Sequence, residues 1–423
     1  MNDAVRAFRR LTGTYVPYLE PDWSAEDFAR IAAWQADGSV LDVREALLDR
    51  LRRMYPESGE VVLTDTGKTA LVAAIKMLGL KSQDEVIVPS FCCSSVIVSV
   101  IRSGCTPVLA DSDNDFNISQ ESVLEALSPR TKAIIVVHLY GLEAASFEGI
   151  CRLARERGIA VIEDAAQAFG LRLRDGSLAG SRGDAAIFSS GPGKPIMGPG
   201  GGWALIKNPV AARPALDDEP SDAVRARVAD FVNRFTGSRW RRGYSEIAHA
   251  IPGRISARLR KRPGFDAGAW AGETCQMRTM SAIDAWLANG QIDRIDRGIA
   301  QRRLNASKWR DLLRRAGWSC RLSPQQANIF TALPATFEGP KAPTLANHYR
   351  FVLESGGIAT EPCYTPLHMR AEARGYRHTR MQVCETMPRD VFTLPVRPNL
   401  TERDWERIDA VVMGRASRQN TSE

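Results

Sequence analysis

The sequence predicts an α/β fold: a large domain on a mainly parallel sheet with helices on both faces, then a smaller C-terminal α+β unit. Three observations carry this. A chain of 423 residues exceeds the usual single-domain size. From about residue 60 to 207, short β-branched runs alternate with amphipathic stretches, as parallel sheets with crossover helices require. Polar residues also stand where these runs end, at the edge where open α/β sheets bind ligands.

In order, the expected strands are Glu85 to Pro89, Pro107 to Asp111, Ala133 to Leu139, Ala160 to Asp164, Ala185 to Ser189 and Trp203 to Lys207. Asp111, His138, Asp164 and Ser189 fall at or just before their carboxyl ends. After Pro209 comes an Arg-rich segment with scattered Pro and Gly, then a long helical pattern from about Met280 to near Gly317. Ile329 to Val352 and Asp390 to Pro395 are expected to pair as strands. Thr401 caps a closing helix to Met413, with Trp405, Ile408 and Val412 on one face. The expected division is residues 1–209, a basic helical insertion at 210–275, and 276–423.

With 44% hydrophobic and 25% charged residues, the composition is that of an ordinary globular protein. The first ten residues mix acid and base without an apolar stretch, and no apolar run is long enough to span a bilayer, so the expectation is a cytoplasmic protein. The eight cysteines are scattered without a C-x-x-C pair, which favours buried thiols over zinc or disulfides. The net charge of +7 is local. Between Arg225 and Arg262, eleven Arg and Lys face only Asp230 and Glu246, leaving 45 basic (56 − 11) and 47 acidic (49 − 2) residues elsewhere. A nucleic-acid-binding body is not implied.

Three clusters carry chemistry. In TDTGKTAL (Thr64 to Leu71) the GKT ending suggests a P-loop, but that motif needs glycine where Val62 stands. What remains is a turn, Thr66, Gly67 and Lys68, entering a helix, which is either an ordinary N-cap or a cradle for a single phosphate. In VIEDAAQAFG a strand delivers Glu163 and Asp164, with Gln167 one turn later. A buried carboxylate there suits a protonated ring nitrogen. In FSSGPGKPIMGPGGG, Ser189 ends a strand and Lys194 sits between Gly193 and Pro195 in a glycine-rich loop. A desolvated lysine there is a nucleophile toward an aldehyde; a solvated one is merely a loop residue.

Taken in this order, the clusters resemble the DegT/DnrJ/EryC1/StrS family of sugar aminotransferases. The likeness extends through DEVIVPS, G-x-x-PVLAD, TKAIIVVHLYG, MSAIDAW, GIATEPCYTPLH and TLPVRPNLTERDWERI, covering most of residues 60–207 and 277–411. It implies a fold-type I transferase that uses pyridoxal 5'-phosphate (PLP) and works as a homodimer with the site at the subunit interface. By position, Lys194 matches the Schiff-base lysine, Asp164 the partner of the pyridine nitrogen, Gln167 the residue beside the ring oxygen, and Ser189 a phosphate ligand. Thr66, Gly67 and Lys68 match the family's S-G-T phosphate turn. Tyr364 and His368, in a Y-x-P-x-H stretch, are weaker candidates near substrate.

The departures are specific. Lys68 replaces a threonine. The aromatic that stacks on the PLP ring appears as Cys93, with Phe91 two residues earlier. The N-x-R-M-S segment reads MRTMS from Met277, so the cross-subunit Asn is missing and Lys68 or Arg278 is left to supply the phosphate contact. Lysine at 194 argues against the dehydratase branch, which has histidine there.

The implied activity moves an amino group from an amino acid, glutamate in many members, to a nucleotide-linked keto-sugar for polysaccharide or secondary-metabolite synthesis. Two rivals stand beside it: a PLP-binding member that regulates or scaffolds, and a nucleotide-binding module built on TGKT. The basic segment has three readings: helices packed on the protein, a contact with anionic lipid through 225–262, or a grip on the substrate diphosphate.

Overall fold

The computed structural model describes residue 9 and residues 12–38, 40–235, 276–322, 328–370 and 373–419. Helices α1 (Ala25–Asp37) and α2 (Arg44–Met54) lead into β1 (Glu60–Thr64). Then follow α3 (Gly67–Met77), β2 (Glu85–Pro89), α4 (Ser94–Arg102), β3 (Thr106–Ala110), α5 (Gln120–Ala126), β4 (Thr131–Val137), α6 (Phe147–Arg157) and β5 (Ala160–Asp164). Two further strands, β6 (Ala185–Ser189) and β7 (Gly202–Ile206), complete a seven-stranded sheet of order β1-β7-β6-β5-β4-β2-β3. Only β7 runs against its neighbours. The six predicted strands are present with ends shifted by no more than two residues. The segment EVVLT adds β1, which was not among them.

The strands are almost wholly buried because helices cover both faces, and each face has its own core. Val61, Leu63, Ile134, Val136 and Val161 enter one core, while Val62, Ala133, Ile135, Val137 and Ile162 enter the other. This is the period of two that an extended strand imposes.

The Arg-rich segment begins with α7 (Ser221–Phe235). Its Val224, Val228 and Phe231 pack with Trp23, Ile31, Trp34, Met197, Ile283 and Leu287, and Val232 and Phe235 join their edge. Here the helix packs on its own chain through its apolar face, the first of the three readings of the basic segment. Residues 236–275, with Arg239 to Arg262 and Cys275, lie outside the described residues.

The long helical pattern from Met280 is two helices, α8 (Ala282–Ile292) and α9 (Ile295–Arg315). A second sheet, order β10-β11-β9-β8, joins β8 (Arg321–Leu322), β9 (Leu333–Thr336), β10 (Glu361–Pro362) and β11 (Val391–Leu394). The expected pairing of Ile329–Val352 with Asp390–Pro395 is correct only for β9 against β11. Residues Ala342–Ser355 instead form helix α10, because Ala342, Ala346, Tyr349 and Val352 recur at helical spacing behind a first-turn proline. Helix α11 (Gln382–Asp390) precedes β11.

The closing helix α12 (Glu402–Gln419) starts as predicted: Thr401 Oγ1 accepts the Asp404 amide at 3.1 Å, and Asp404 Oδ2 accepts the Thr401 amide at 2.9 Å. Trp405, Ile408 and Val412 enter a third core with Trp309, Phe330 and Phe392. Among the described residues no helix is long and apolar enough to cross a membrane.

Candidate active site

The phosphate turn sits where β1 feeds α3. Thr66 is the N-cap, its Oγ1 accepting the Thr69 amide at 3.3 Å. The first-turn amides of Gly67 and Lys68 have no acceptor within the helix, and the helix dipole makes this end favourable for an anion. Asp65 fixes the turn from within: its Oδ1 accepts the hydroxyls of Thr66 at 3.3 Å and Thr69 at 2.5 Å. Burial pushes its carboxyl above the ordinary range, with the two hydroxyls opposing.

A Cβ on Gly67 would stand 2.9 Å from Ser189 Cβ and 3.3 Å from its Oγ, so glycine lets the turn close on the end of β6. Lys68 is exposed at the same turn. Arg278 meets the turn through its backbone, its carbonyl accepting the Asp65 amide at 2.9 Å, while its guanidinium donates to Gln276 Oε1 at 2.6 Å. Of the two cations considered for the missing Asn's contact, Lys68 is the one whose side chain is left available.

Glu163 and Asp164 end β5 on opposite faces. Glu163 is fully buried and accepts amides from Gly180 at 2.7 Å, Arg182 at 2.6 Å and Gly183 at 2.6 Å, besides His138 Nε2 at 3.2 Å. Its task is structural. Asp164, on the other face, has one amide partner, Ala166 at 3.0 Å. Burial pushes the Asp164 carboxyl up, and the nearby Lys194 ammonium is the largest effect opposing it. A buried carboxylate with spare acceptor capacity beside a lysine is what the second and third clusters together predict.

The loop between β6 and β7 brings in Lys194. Gly193, at φ 78°, makes a turn that a side chain would strain, and the Lys194 amide donates to the Gly191 carbonyl at 3.3 Å. Ser190, hidden from the motif reading behind Ser189, ties the loop ends together. Its hydroxyl donates to the Gly200 carbonyl at 2.6 Å, and its carbonyl accepts the Gly198 amide at 2.6 Å. The Gly201 amide then donates to the Asp65 carbonyl at 2.6 Å, joining the lysine loop to the phosphate turn.

Gln167 is held by residues that no local motif reveals. Its Oε1 accepts the Tyr140 amide at 3.0 Å and the Thr331 hydroxyl at 3.1 Å, and its Nε2 donates to Tyr364 Oη at 3.3 Å. Tyr364 stacks on Tyr140 with centroids 6.1 Å apart, and burial, with Cys93 and Asp164 nearby, pushes its hydroxyl up. That places Tyr364 with Asp164, Gln167 and Cys93.

Other candidates are spent elsewhere. Phe91 has no exposed surface and packs on Phe116 and Tyr364, so its ring offers no face to a ligand; Cys93, at the α4 N-cap, is only half-buried. His368 Nδ1 pairs with Ser90 Oγ at 2.7 Å, while its buried Nε2, 3.9 Å from Glu385, has no hydrogen-bond partner among the described residues. It ties its loop to the end of β2. Of the four polar strand ends, Asp111 accepts the amides of Val383 and Cys384 at 2.9 Å, and His138 serves Glu163. Only Asp164 and Ser189 face the cluster.

The donor set suits PLP. First-turn amides, the Ser189 hydroxyl and a lysine match a phosphate dianion, a buried carboxylate matches a ring nitrogen, and a lysine matches an aldehyde. Fold and site together define the class, an α/β protein whose candidate cofactor residues gather at the carboxyl edge of a mainly parallel sheet.

The DegT/DnrJ/EryC1/StrS aminotransferase family model matches residues 44–413, and the chain belongs to that family. It is 27% identical over 416 residues to a pleiotropic regulatory protein of Geobacillus stearothermophilus, covering 96% of this chain and 91% of that one. It is 28% identical over 358 residues to the GDP-perosamine synthase of Caulobacter vibrioides, covering 83% and 84%. The structure of S. venezuelae DesV in complex with a ketimine intermediate is similar at TM-score 0.66 and 25% identity, over 93% of this chain and 94% of that one. The chain is a PLP-dependent aminotransferase of fold-type I.

Proposed function

We propose that this enzyme passes the amino group of an amino acid to a keto-sugar carried on a nucleoside diphosphate. The observation behind the assignment of roles is the Lys194 charge acting on buried Asp164, with Gly67 closed on Ser189 at the end of the neighbouring strand. The GDP-perosamine synthase relative supports a nucleotide-linked substrate. Glutamate as donor rests on the family resemblance.

In this reading the amides of Gly67 and Lys68, the Ser189 hydroxyl and the Lys68 ammonium hold the phosphate, while Thr66, its hydroxyl given to Asp65, caps the turn that presents them. PLP, when bound, supplies the electron sink. Asp164 keeps the ring nitrogen protonated from its buried position, and Gln167 is set beside the ring oxygen by Tyr140 and Thr331. Lys194 Nζ would hold the cofactor's aldehyde and, when free, would serve as the base that takes and returns a proton. A homodimer completes the reading, with the partner subunit closing the site.

The test is visible absorbance of the purified protein before and after glutamate, with borohydride reduction of the resting form. The expected result is a spectral change with glutamate and a reduced pyridoxyl group on Lys194. Lys194→Ala should abolish both and keep the fold. A reduced group on Lys207 would refute the lysine assignment. A bound cofactor with no response to any amino acid would align the chain with its regulatory relative.

A further inference from the structure

Arg227, on α7, lies outside all three motif clusters, yet it is the most heavily paired arginine beside the site. Its Nη1 and Nη2 donate to Asp284 Oδ1 and Oδ2 at 3.1 and 2.7 Å, and its Nη2 and Nε donate to Glu219 at 2.6 and 3.4 Å. Asp284 has no exposed side-chain surface and also accepts the Ser281 hydroxyl at 2.6 Å, which fixes it at the start of α8. So clamped, the guanidinium lies against the backbone of Gly200, where any Cβ would run into it. A free arginine would swing away from such a contact; one held by two carboxylates cannot do so cheaply.

Gly200 and Gly201 are the residues that join the lysine loop to the phosphate turn. The Gly200 carbonyl takes the Ser190 hydroxyl, the Gly201 carbonyl takes the Ser190 amide at 3.0 Å, and the Gly201 amide reaches Asp65. Gly201 itself sits at φ 99°, a conformation open to glycine that a side chain would strain. The same helix face packs on Met197 of the lysine loop, and Arg227 is among the charges acting on Asp65.

We propose that Arg227 is a positioning residue for the cofactor: locked by Asp284 and Glu219, it presses the Gly200–Gly201 turn into the place that aligns Ser189 and the Thr66–Lys68 turn for a phosphate. This rests on the cofactor site proposed above, and it gives the start of the Arg-rich segment a task in that site.

The test measures PLP affinity of the full-length apoprotein by absorbance titration, together with thermal stability. Arg227→Met should weaken PLP binding by about tenfold or more, the scale seen when outer-shell supports of a site are removed. Arg227→Lys should restore part of it. Removing Arg227 also leaves Asp284 buried without its partner, so a double variant, Arg227→Met with Asp284→Asn, removes that charge. It should recover thermal stability without recovering affinity. Val412→Ala, in the third core, should lower stability and leave affinity unchanged. Arg227→Met with wild-type affinity, or a double variant that regains both properties, would make Arg227 a structural anchor only. Borohydride mapping on the wild type separates the two levels. A reduced cofactor on Lys194 with affinity indifferent to Arg227 overturns this inference alone, whereas a reduced cofactor on another lysine overturns the site as well.

Discussion

His138 Nε2 lies 3.2 Å from Glu163 Oε2, with no exposed surface on either side chain, one residue away from Asp164. This pair fixes the end of the strand that carries Asp164. Burial alone would push the Glu163 carboxyl up. His138 and the Gly183 and Gly180 amides outweigh it and hold the carboxyl below its ordinary value of 4.5. A carboxylate with a depressed folded-state value adds stability above the unfolded value, and that stability is lost as pH falls through the folded one. Glu163→Gln should therefore cost about 1–3 kcal/mol at neutral pH, the scale of a disrupted charged hydrogen-bond network. It should also remove part of the acid sensitivity below pH 4.5. Urea unfolding from pH 3 to 7 measures both. An unchanged acid limb would show that Glu163 is not the titrating support.

Asp164 has the opposite sign. Its folded-state value is raised by burial, so the ionised form costs stability at pH values above it. Asp164→Asn removes that cost, and the apoprotein should be at least as stable at pH 7 as the wild type. PLP should still bind, while turnover falls by about 10²-fold or more, as when one electrostatic support of a reacting centre is removed. A more stable, cofactor-loaded and nearly inactive variant is the signature of a functional carboxylate. Near-normal turnover would remove Asp164 from its role.

The helix start at Thr66 gives a separate prediction for Lys68. Its ammonium has no ion pair among the described residues, and it sits on the anion-favouring end of α3. Lys68→Ala should weaken PLP affinity about tenfold, since a hydrogen bond to a charged group is worth roughly 1.5–3 kcal/mol. Thermal stability of the apoprotein should not move. Equilibrium dialysis at two salt concentrations checks it, and unchanged affinity would mean that the amides and the Ser189 hydroxyl suffice.

What the sequence made legible was local. Runs such as EVIVP and AAIFS announce buried parallel strands because both faces are covered, and glycines around Lys194 announce a close backbone approach. Two kinds of feature stayed hidden. One is competition between periods: Tyr349 and Val352 look like strand residues until the helical spacing from Ala342 is counted. The other is long-range pairing. Nothing near Asp111 shows that its carboxylate is taken by amides 272 and 273 residues away, and nothing near Gln167 points to Thr331. Standing at a strand end did not by itself separate Asp164, which keeps acceptor capacity, from Asp111, which is already occupied.

The final prediction concerns the basic segment, whose charge divides at residue 235. Of the eleven Arg and Lys between 225 and 262, three belong to α7: Arg225, Arg227 and Arg234. All three are engaged by the protein. Arg225 lies over the Trp34 ring at 5.5 Å, Arg227 is held by Asp284 and Glu219, and Arg234 pairs with Asp230 at 3.9 Å. The remaining eight (11 − 3), with Trp240 and Tyr244 among them, are what an anionic surface would meet. Each basic residue held close to such a surface contributes about 1 kcal/mol, and the attraction is screened by salt. Replacing residues 236–275 by a short linker should therefore leave α7, the fold and PLP affinity unchanged. In a sedimentation assay the full chain should bind anionic vesicles at low salt, bind them less at physiological salt, and ignore neutral vesicles, with all binding lost in the linker variant. No sedimentation of the full chain at low salt would end the membrane reading. A raised KM for the nucleotide-linked substrate in the linker variant would instead assign these arginines to the diphosphate.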